Sequence, residues 1–270
     1  MLSKRIATIL LLLMTVAFTA AFPFVPRFPQ SLAYHNFADQ RAWLGISNFG
    51  NVASNLLFAI VGAAGWVFLA DKSSRRRFIE QREHWPYFFI FLGLLWTGFG
   101  SAYYHLAPSN ARLMWDRLPM TVVFMPLVAA MIMERLDVTW GLRVLPVLLA
   151  IGIASVIEWR ISEAHGVGDL RFYAAIQLYS VGALVILLFA PPRYTRSVDL
   201  IWVVALYAAA KIFESADGPI FQLGHIASGH TLKHLVGGAA GYCILRMLQQ
   251  RVPLVQHANS LGGEPERQYP

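Results

Sequence analysis

Long apolar segments recur along this chain, and short polar or basic connections separate them. A lipid bilayer accepts a helix of about 20 apolar residues, whereas water disfavours so much apolar surface. Only 14% of the 270 residues are charged, against about 25% in an ordinary soluble domain. The pattern therefore predicts an all-α, polytopic integral membrane protein.

The segments divide the chain into three predicted parts. Residues 6–22 follow Lys4 and Arg5 and indicate either a signal peptide or, as we favour, an uncleaved signal anchor. Seven further helices are predicted at 48–70, 86–106, 116–134, 142–159, 172–190, 198–213 and 230–248. We therefore predict an N-terminal hydrophobic segment (1–25), a seven-helix membrane domain (26–250) and a disordered tail (251–270).

Basic residues lie unevenly among the connections. The connection between the first two core helices holds Lys72, Arg75, Arg76, Arg77 and Arg82. Cytoplasmic connections are enriched in Lys and Arg, so the distribution predicts an even number of spans with both termini in the cytoplasm. The net charge of +7 follows from these connections, and nucleic-acid binding is not expected.

Ionisable residues gather at one end of three predicted helices. Ser101 and His105 lie one helical turn apart, as do His230 and His234, and Asp116 opens the predicted helix 116–134. Such groups are costly at membrane depth and usually face an interior cavity with a function. The predicted topology places all five near the outer face, so we expect them to meet.

This set of side chains predicts a zinc hydrolase site. Neutral imidazoles of His105, His230 and His234 suit tetrahedral zinc with one open position, and zinc lowers the pKa of water toward about 7. Asp116 would accept the proton of water and return it to the leaving group. Ser101 would donate a hydrogen bond to the developing oxyanion or to the water.

Each residue also has a structural interpretation. His230 and His234 share a helix face by chance in many proteins, and His105 alone suits a hydrogen-bonded core position. Asp116 suits a helix N-cap, and Ser101 suits close helix packing. The conjunction of all five at one level favours the functional interpretation.

Polar residues on one side of the first core helix are candidates for interhelical hydrogen bonds near this site. They are Asn48, Asn51, Ser54 and Asn55.

Four motifs carry a resemblance to a known family: NVASN at 51–55, GFGSAYYH at 98–105, WDRLPM at 115–120 and HTLKH at 230–234. Over residues 34–250 the chain resembles the alkaline ceramidases of the CREST superfamily, which also includes the progestin and adipoQ receptors. The resemblance implies a seven-helix core and zinc held by His105, His230 and His234, with Asp116 and Ser101 beside it. It also implies a membrane-lipid substrate, ceramide, hydrolysed to a sphingoid base and a fatty acid.

The chain departs from the family pattern at two places. Where the better-known ceramidases have several acidic calcium ligands, this chain has His35, Asp39 and Asn48, so a calcium site does not carry over. The family's D-E-L-P-M motif has Arg117 in place of the glutamate. We expect this basic residue to affect headgroup preference or interfacial binding.

Two other functions stay open. A receptor-like or transport protein would hold zinc structurally and hydrolyse nothing. A zinc-independent serine hydrolase would use Ser101 with His105, although their spacing is awkward for proton transfer and no nucleophile-elbow glycine pattern surrounds the serine. The sequence makes no prediction of oligomeric state.

Overall fold

Ten α-helices account for most of residues 1–255, the part of the chain that this computed structural model describes. They are α1 (Lys4–Ala21), α2 (Phe49–Ala53), α3 (Leu56–Ala70), α4 (His84–Leu106), α5 (Asn110–Arg135), α6 (Val138–Ala164), α7 (Arg171–Leu188), α8 (Val198–Ser215), α9 (Asp217–Gln222) and α10 (Gly229–Gln250). Within these residues no β-strand forms. The predicted all-α class is therefore confirmed.

Capping side chains determine where several helices begin. The side chains of Ser109, Asp137 and Ser228 accept hydrogen bonds from backbone N–H groups in the first turns of α5, α6 and α10. The Ser109 cap makes α5 begin at Asn110, six residues before the predicted start. Asp116 therefore lies inside the helix, and the helix-cap interpretation of Asp116 is wrong.

The predicted helix 48–70 is interrupted between α2 and α3. The carbonyl oxygen of Asn51 accepts hydrogen bonds from Ser54 Oγ at 3.2 Å and from Asn55 Nδ2 at 2.7 Å. Side-chain bonds of this kind compete with the helical backbone bond. The backbone N–H of Asn55 turns instead to the Val52 carbonyl, and the helix restarts at Leu56.

Within residues 1–255, five helical segments are long and apolar enough to cross a membrane. They are Lys4–Phe24, Phe49–Ala70, Asn110–Arg135, Val138–Ala164 and Arg171–Leu188. The first of these, the predicted signal segment, packs against α7, where Thr15 Oγ1 lies 3.0 Å from the Tyr179 hydroxyl.

Close helix packing places the ends of α4 and α10 next to each other. Helix α4 packs against α3 and α5, and α10 packs against α3 and α8. A Cβ atom at Gly100 would lie 2.1 Å from the Trp115 carbonyl oxygen, and one at Gly62 would lie 2.3 Å from the Leu95 nitrogen. Only glycine permits α4 to approach its two neighbours this closely.

The opposite end of the bundle is held by a buried ionic group. Arg251, the first residue of the predicted tail, is fully buried and forms an ion pair with Glu134 of α5. Its guanidinium also donates to the Tyr87 hydroxyl at 3.1 Å and to the Arg77 carbonyl at 3.0 Å. Val252 and Leu254, also in the predicted tail, form backbone hydrogen bonds with Thr195 and Arg193, so the start of the tail is ordered. Residues 256–270 of the predicted tail lie outside the described residues.

Candidate metal centre

Three buried histidines meet where α4 ends and α10 begins. Each of His105, His230 and His234 offers a ring nitrogen, and these nitrogen atoms all lie within 4.8 Å of one another. The ring centroids are 4.8–4.9 Å apart. The expectation that the three histidines converge is confirmed, and the group can hold a metal ion.

The first turn of α10 is fixed from two sides. Ser228 caps the helix, and the Asp217 carboxylate in α9 accepts a hydrogen bond from the His230 backbone N–H at 2.7 Å. The second oxygen of this carboxylate accepts from the Ala38 N–H at 2.9 Å. Asp217 thus ties the start of α10 to the connection that follows α1.

A hydroxyl in the break between α2 and α3 sets the tautomer of His234. Ser54 Oγ lies 2.9 Å from His234 Nδ1 and donates its own proton to the Asn51 carbonyl. Because that proton is used, the hydroxyl accepts from Nδ1–H, and Nε2 of His234 is left as the free ligand atom. Metal-binding histidines are commonly oriented through their other ring nitrogen in this way.

The remaining ring nitrogens fit a metal site. Within the described residues, Nδ1 and Nε2 of His105 and Nε2 of His230 are buried without a hydrogen-bond partner. Buried polar atoms without partners are costly, so native proteins rarely keep them. A metal ion would take one nitrogen of His105 and Nε2 of His230, and an all-imidazole donor set suits zinc among the transition metals.

An aromatic ring closes the histidine group from the outside. The Phe37 ring centroid lies 4.7 Å from that of His105 and 4.4 Å from that of His230. Nearby, Asn48 Nδ2 donates to the His105 carbonyl at 2.9 Å, which holds the last turn of α4. The connection between α1 and α2 therefore shields the histidines from water.

Ser101 and Asp116 are the other two predicted site residues. Both are buried, and both line one cavity together with His234. Ser101 Oγ has no hydrogen-bond partner among the described residues. Asp116 does not belong to the histidine group itself but lies in the wall of the adjoining cavity. Their predicted catalytic roles stay predictions.

The cavity beside the histidines has a volume of about 260 Å³ and runs between α4, α5, α7, α8 and α10. Along α10 its lining extends from Lys233 to Ile244, a length of about 16 Å at 1.5 Å per residue. Its deeper part is apolar, lined by Leu94, Val123, Phe124, Leu127, Val181, Leu184, Val203, Val204, Ala240 and Ile244. The space therefore joins a polar end to an apolar channel.

The polar end of the cavity contains a group of paired charges. The Glu214 carboxylate binds Lys211 Nζ at 2.5 Å and Lys233 Nζ at 3.0 Å. It also accepts a hydrogen bond from the Tyr34 hydroxyl at 3.0 Å. Glu214 was not among the predicted site residues. Its carboxylate joins side chains from α8, α10 and the connection between α1 and α2.

The residues at the expected calcium-binding positions all make contacts within the protein. His35 lies 2.8 Å from the Tyr104 hydroxyl and 2.7 Å from Asn110 Oδ1. Asp39 forms an ion pair with Arg41 at 2.7 Å.

Neither a scan against protein-family models nor a search of the curated proteins returned a match to this chain. Function is therefore inferred from the chemistry of the site.

Proposed function

We propose that this protein is a multi-pass membrane amidohydrolase that uses zinc to cleave long-chain, ceramide-like lipid amides. The observation that carries the proposal is that His234, one member of the buried histidine group, lines a largely apolar cavity together with Ser101 and Asp116. A lipid amide has the matching shape, since its tail would fill the channel and its amide would lie at the histidines.

The proposed topology counts seven core helices after α1. They are the pair α2–α3, followed by α4, α5, α6, α7, α8 and α10. Both termini are assigned to the cytoplasm, because the basic connection at residues 72–82 lies at the end of α4 opposite His105. The histidine group then faces the outer or luminal side.

Zinc bound to His105, His230 and His234 would polarise the amide carbonyl and lower the pKa of water toward about 7. Asp116 accepts a proton as the oxygen of water adds to the acyl carbon, and it returns that proton to the amine as the C–N bond breaks. Ser101 donates a hydrogen bond to the oxygen that gains negative charge. The products are a sphingoid base and a fatty acid.

The first test combines metal analysis with turnover of an N-acylsphingosine. We expect about one zinc per purified wild-type chain. His234→Ala should lose both the metal and hydrolysis. His165→Ala is the matched control, because His165 is exposed and bonds only to its own helix; this variant should keep both.

Asp116→Asn separates metal binding from chemistry. This variant should keep its zinc, whereas turnover should fall by about 10²–10⁴-fold, as expected when a general acid–base is removed. Zinc without hydrolysis in the wild type would favour the receptor-like or transport function. A wild-type protein that binds no zinc would refute the site.

A further inference from the structure

Arg117 is a buried cation in the wall of the same cavity. It directly follows Asp116 in α5, and only 7% of its surface is exposed. Its guanidinium carbon lies 4.3 Å from the Trp159 ring centroid and 5.0 Å from that of Tyr173. One terminal nitrogen, Nη2, donates to the side-chain oxygen of Gln30. The guanidinium is therefore held in a fixed position.

The other terminal nitrogen of Arg117 is unsatisfied. Nη1 is buried and has no hydrogen-bond partner within residues 1–255. Among those residues no carboxylate forms an ion pair with Arg117, whereas Lys211 and Lys233 are both paired with Glu214. A buried donor of a charged group without an acceptor is costly, which indicates that a ligand supplies an acceptor to Nη1.

The charges around the cavity agree with an anionic ligand. Three cations line it, namely Arg117, Lys211 and Lys233, against the two carboxylates of Asp116 and Glu214. A guanidinium presents a planar set of donors that matches a carboxylate with two parallel hydrogen bonds.

We infer that Arg117 binds a carboxylate on the headgroup of the substrate, so that the preferred substrates are long-chain N-acyl amino acids. The inference rests on the proposed amide hydrolysis and changes its preferred substrate from a neutral ceramide-like lipid to an anionic lipid amide, with an amino acid in place of the sphingoid base as product. Asp116 and Arg117 are neighbours in α5, and both line the cavity. A carboxylate bound by Arg117 would therefore occupy the same cavity as the amide on which Asp116 is proposed to act, as in an N-acyl amino acid, where one carbon joins the amide nitrogen to the carboxylate.

The reaction adds one water molecule across the amide. The C–N bond breaks, the acyl carbon takes the hydroxyl to become a fatty acid, and the nitrogen takes the proton to become a free amino acid. The amino acid carboxylate is unchanged, so Arg117 is a specificity residue.

The test compares two lipids with the same acyl chain, an N-acylglycine and the neutral N-acylethanolamine. The readout is the ratio of their kcat/KM values. Arg117→Gln should lower the anionic-to-neutral ratio by about 10–100-fold, mainly through KM, as expected for hydrogen bonds to a charged group. Arg117→Lys keeps the charge without the planar fork, so its ratio should be intermediate.

Arg112→Gln is the matched control, because Arg112 lies in the first turn of the same helix, outside the cavity, against the exposed Tyr103 ring. Its ratio should equal that of the wild type. An unchanged ratio in folded Arg117→Gln would overturn the inference. The role of Arg117 would then be structural, through its hydrogen bond to Gln30.

A second measurement, inhibition by the free fatty acid, tests whether the carboxylate that Arg117 binds belongs to the substrate headgroup or to the fatty-acid product. If Arg117 binds the product, Arg117→Gln weakens inhibition by the free fatty acid and leaves the substrate ratio unchanged. That result would also overturn the headgroup assignment.

A binding measurement keeps this inference distinct from the proposed function. In Asp116→Asn, the N-acylglycine should raise the Tm more than the N-acylethanolamine does, and the added Arg117→Gln change should remove the difference. Such binding without wild-type hydrolysis of either lipid would refute the hydrolase alone. Hydrolysis of both lipids with no dependence on Arg117 would refute the substrate class alone.

Discussion

Side chains of α2 and of the break behind it surround the histidines with hydrogen bonds. Ser54 fixes the ring of His234, and Asn48 holds the backbone of His105. Asn51 accepts from the Thr231 hydroxyl at 2.9 Å, next to His230 in α10. A short segment that supplies no histidine itself thus bonds the ring of His234, the backbone of His105 and the neighbour of His230.

Removing the Ser54 hydroxyl should weaken metal binding. Ser54→Ala frees His234 Nδ1, so the ring loses its preferred tautomer and orientation, and we expect metal affinity to fall about 10–100-fold. Competition with a chelator of known affinity measures the change. Ser155→Ala provides the comparison, because that buried hydroxyl bonds only to the Gly152 carbonyl of its own helix. Equal affinities for the two variants would contradict the tautomer assignment.

The sequence predicts part of this site, because helical periodicity alone puts residues four apart on one face. It identified the histidines, and it identified Asn48, Asn51 and Ser54 as bonding partners near them. Asn55, proposed with them, bonds within its own segment. Phe37 contacts His230, and Asp217 bonds the backbone of Ala38, each far along the chain, and no local pattern encodes such contacts.

The connection between α1 and α2 is the element that covers the histidines, and an ion pair anchors it. Arg41 binds Asp39 and also donates to the His225 and Ile226 carbonyls at 2.6 and 3.0 Å. Hydrogen bonds from Arg41 hold the pKa of the Asp39 carboxyl below its ordinary value.

Acid should therefore loosen this cover. A depressed carboxyl pKa stabilises the folded form above the unfolded-state value of about 3.9, and the contribution disappears as the pH falls through the lower folded-state pKa. The protection factors of the backbone amides of residues 36–41, which compare their hydrogen exchange with the unprotected rate at the same pH, should fall in that range. In Asp39→Asn, residues 36–41 should have low protection already at neutral pH, with no further loss on acidification. A loss of protection in acid as large as that of the wild type would exclude Asp39 as its source.

The contact between α4 and α5 is a second element-level feature that can be tested. Gly100→Ala would push its Cβ into the Trp115 carbonyl oxygen, separating the helices that carry Ser101 and Asp116. Overpacking of this kind costs about 1–3 kcal/mol, and each kcal/mol lowers the Tm by about 2–4 °C at this chain length. Turnover should fall as well.

Thermal unfolding in detergent measures this loss. Gly218→Ala is the control, because its added methyl group meets no atom within 4 Å. Equal Tm values for the two variants would show that the helices can separate without cost.

At the scale of the whole molecule, the buried Arg251–Glu134 pair joins the end of α10 to α4 and α5. Arg251→Met or Glu134→Leu alone should cost about 3–5 kcal/mol, because each leaves one buried charge uncompensated. The double variant should cost less than the sum of the two. The exposed Arg82–Glu80 pair is the comparison, and Arg82→Met should cost under about 1 kcal/mol. Additive losses would show that the buried charges do not interact.

The histidine group joins residues that are synthesised far apart in time. His105 precedes His230 by 125 positions, which at about 5–20 residues per second corresponds to roughly 10 s of translation. During that interval the nascent chain contains one of the three histidines. A metal held by all three would consequently load late in the maturation of the chain, because loading would have to follow synthesis of α10. Such a metal would distinguish chains that have added this helix from chains that have not.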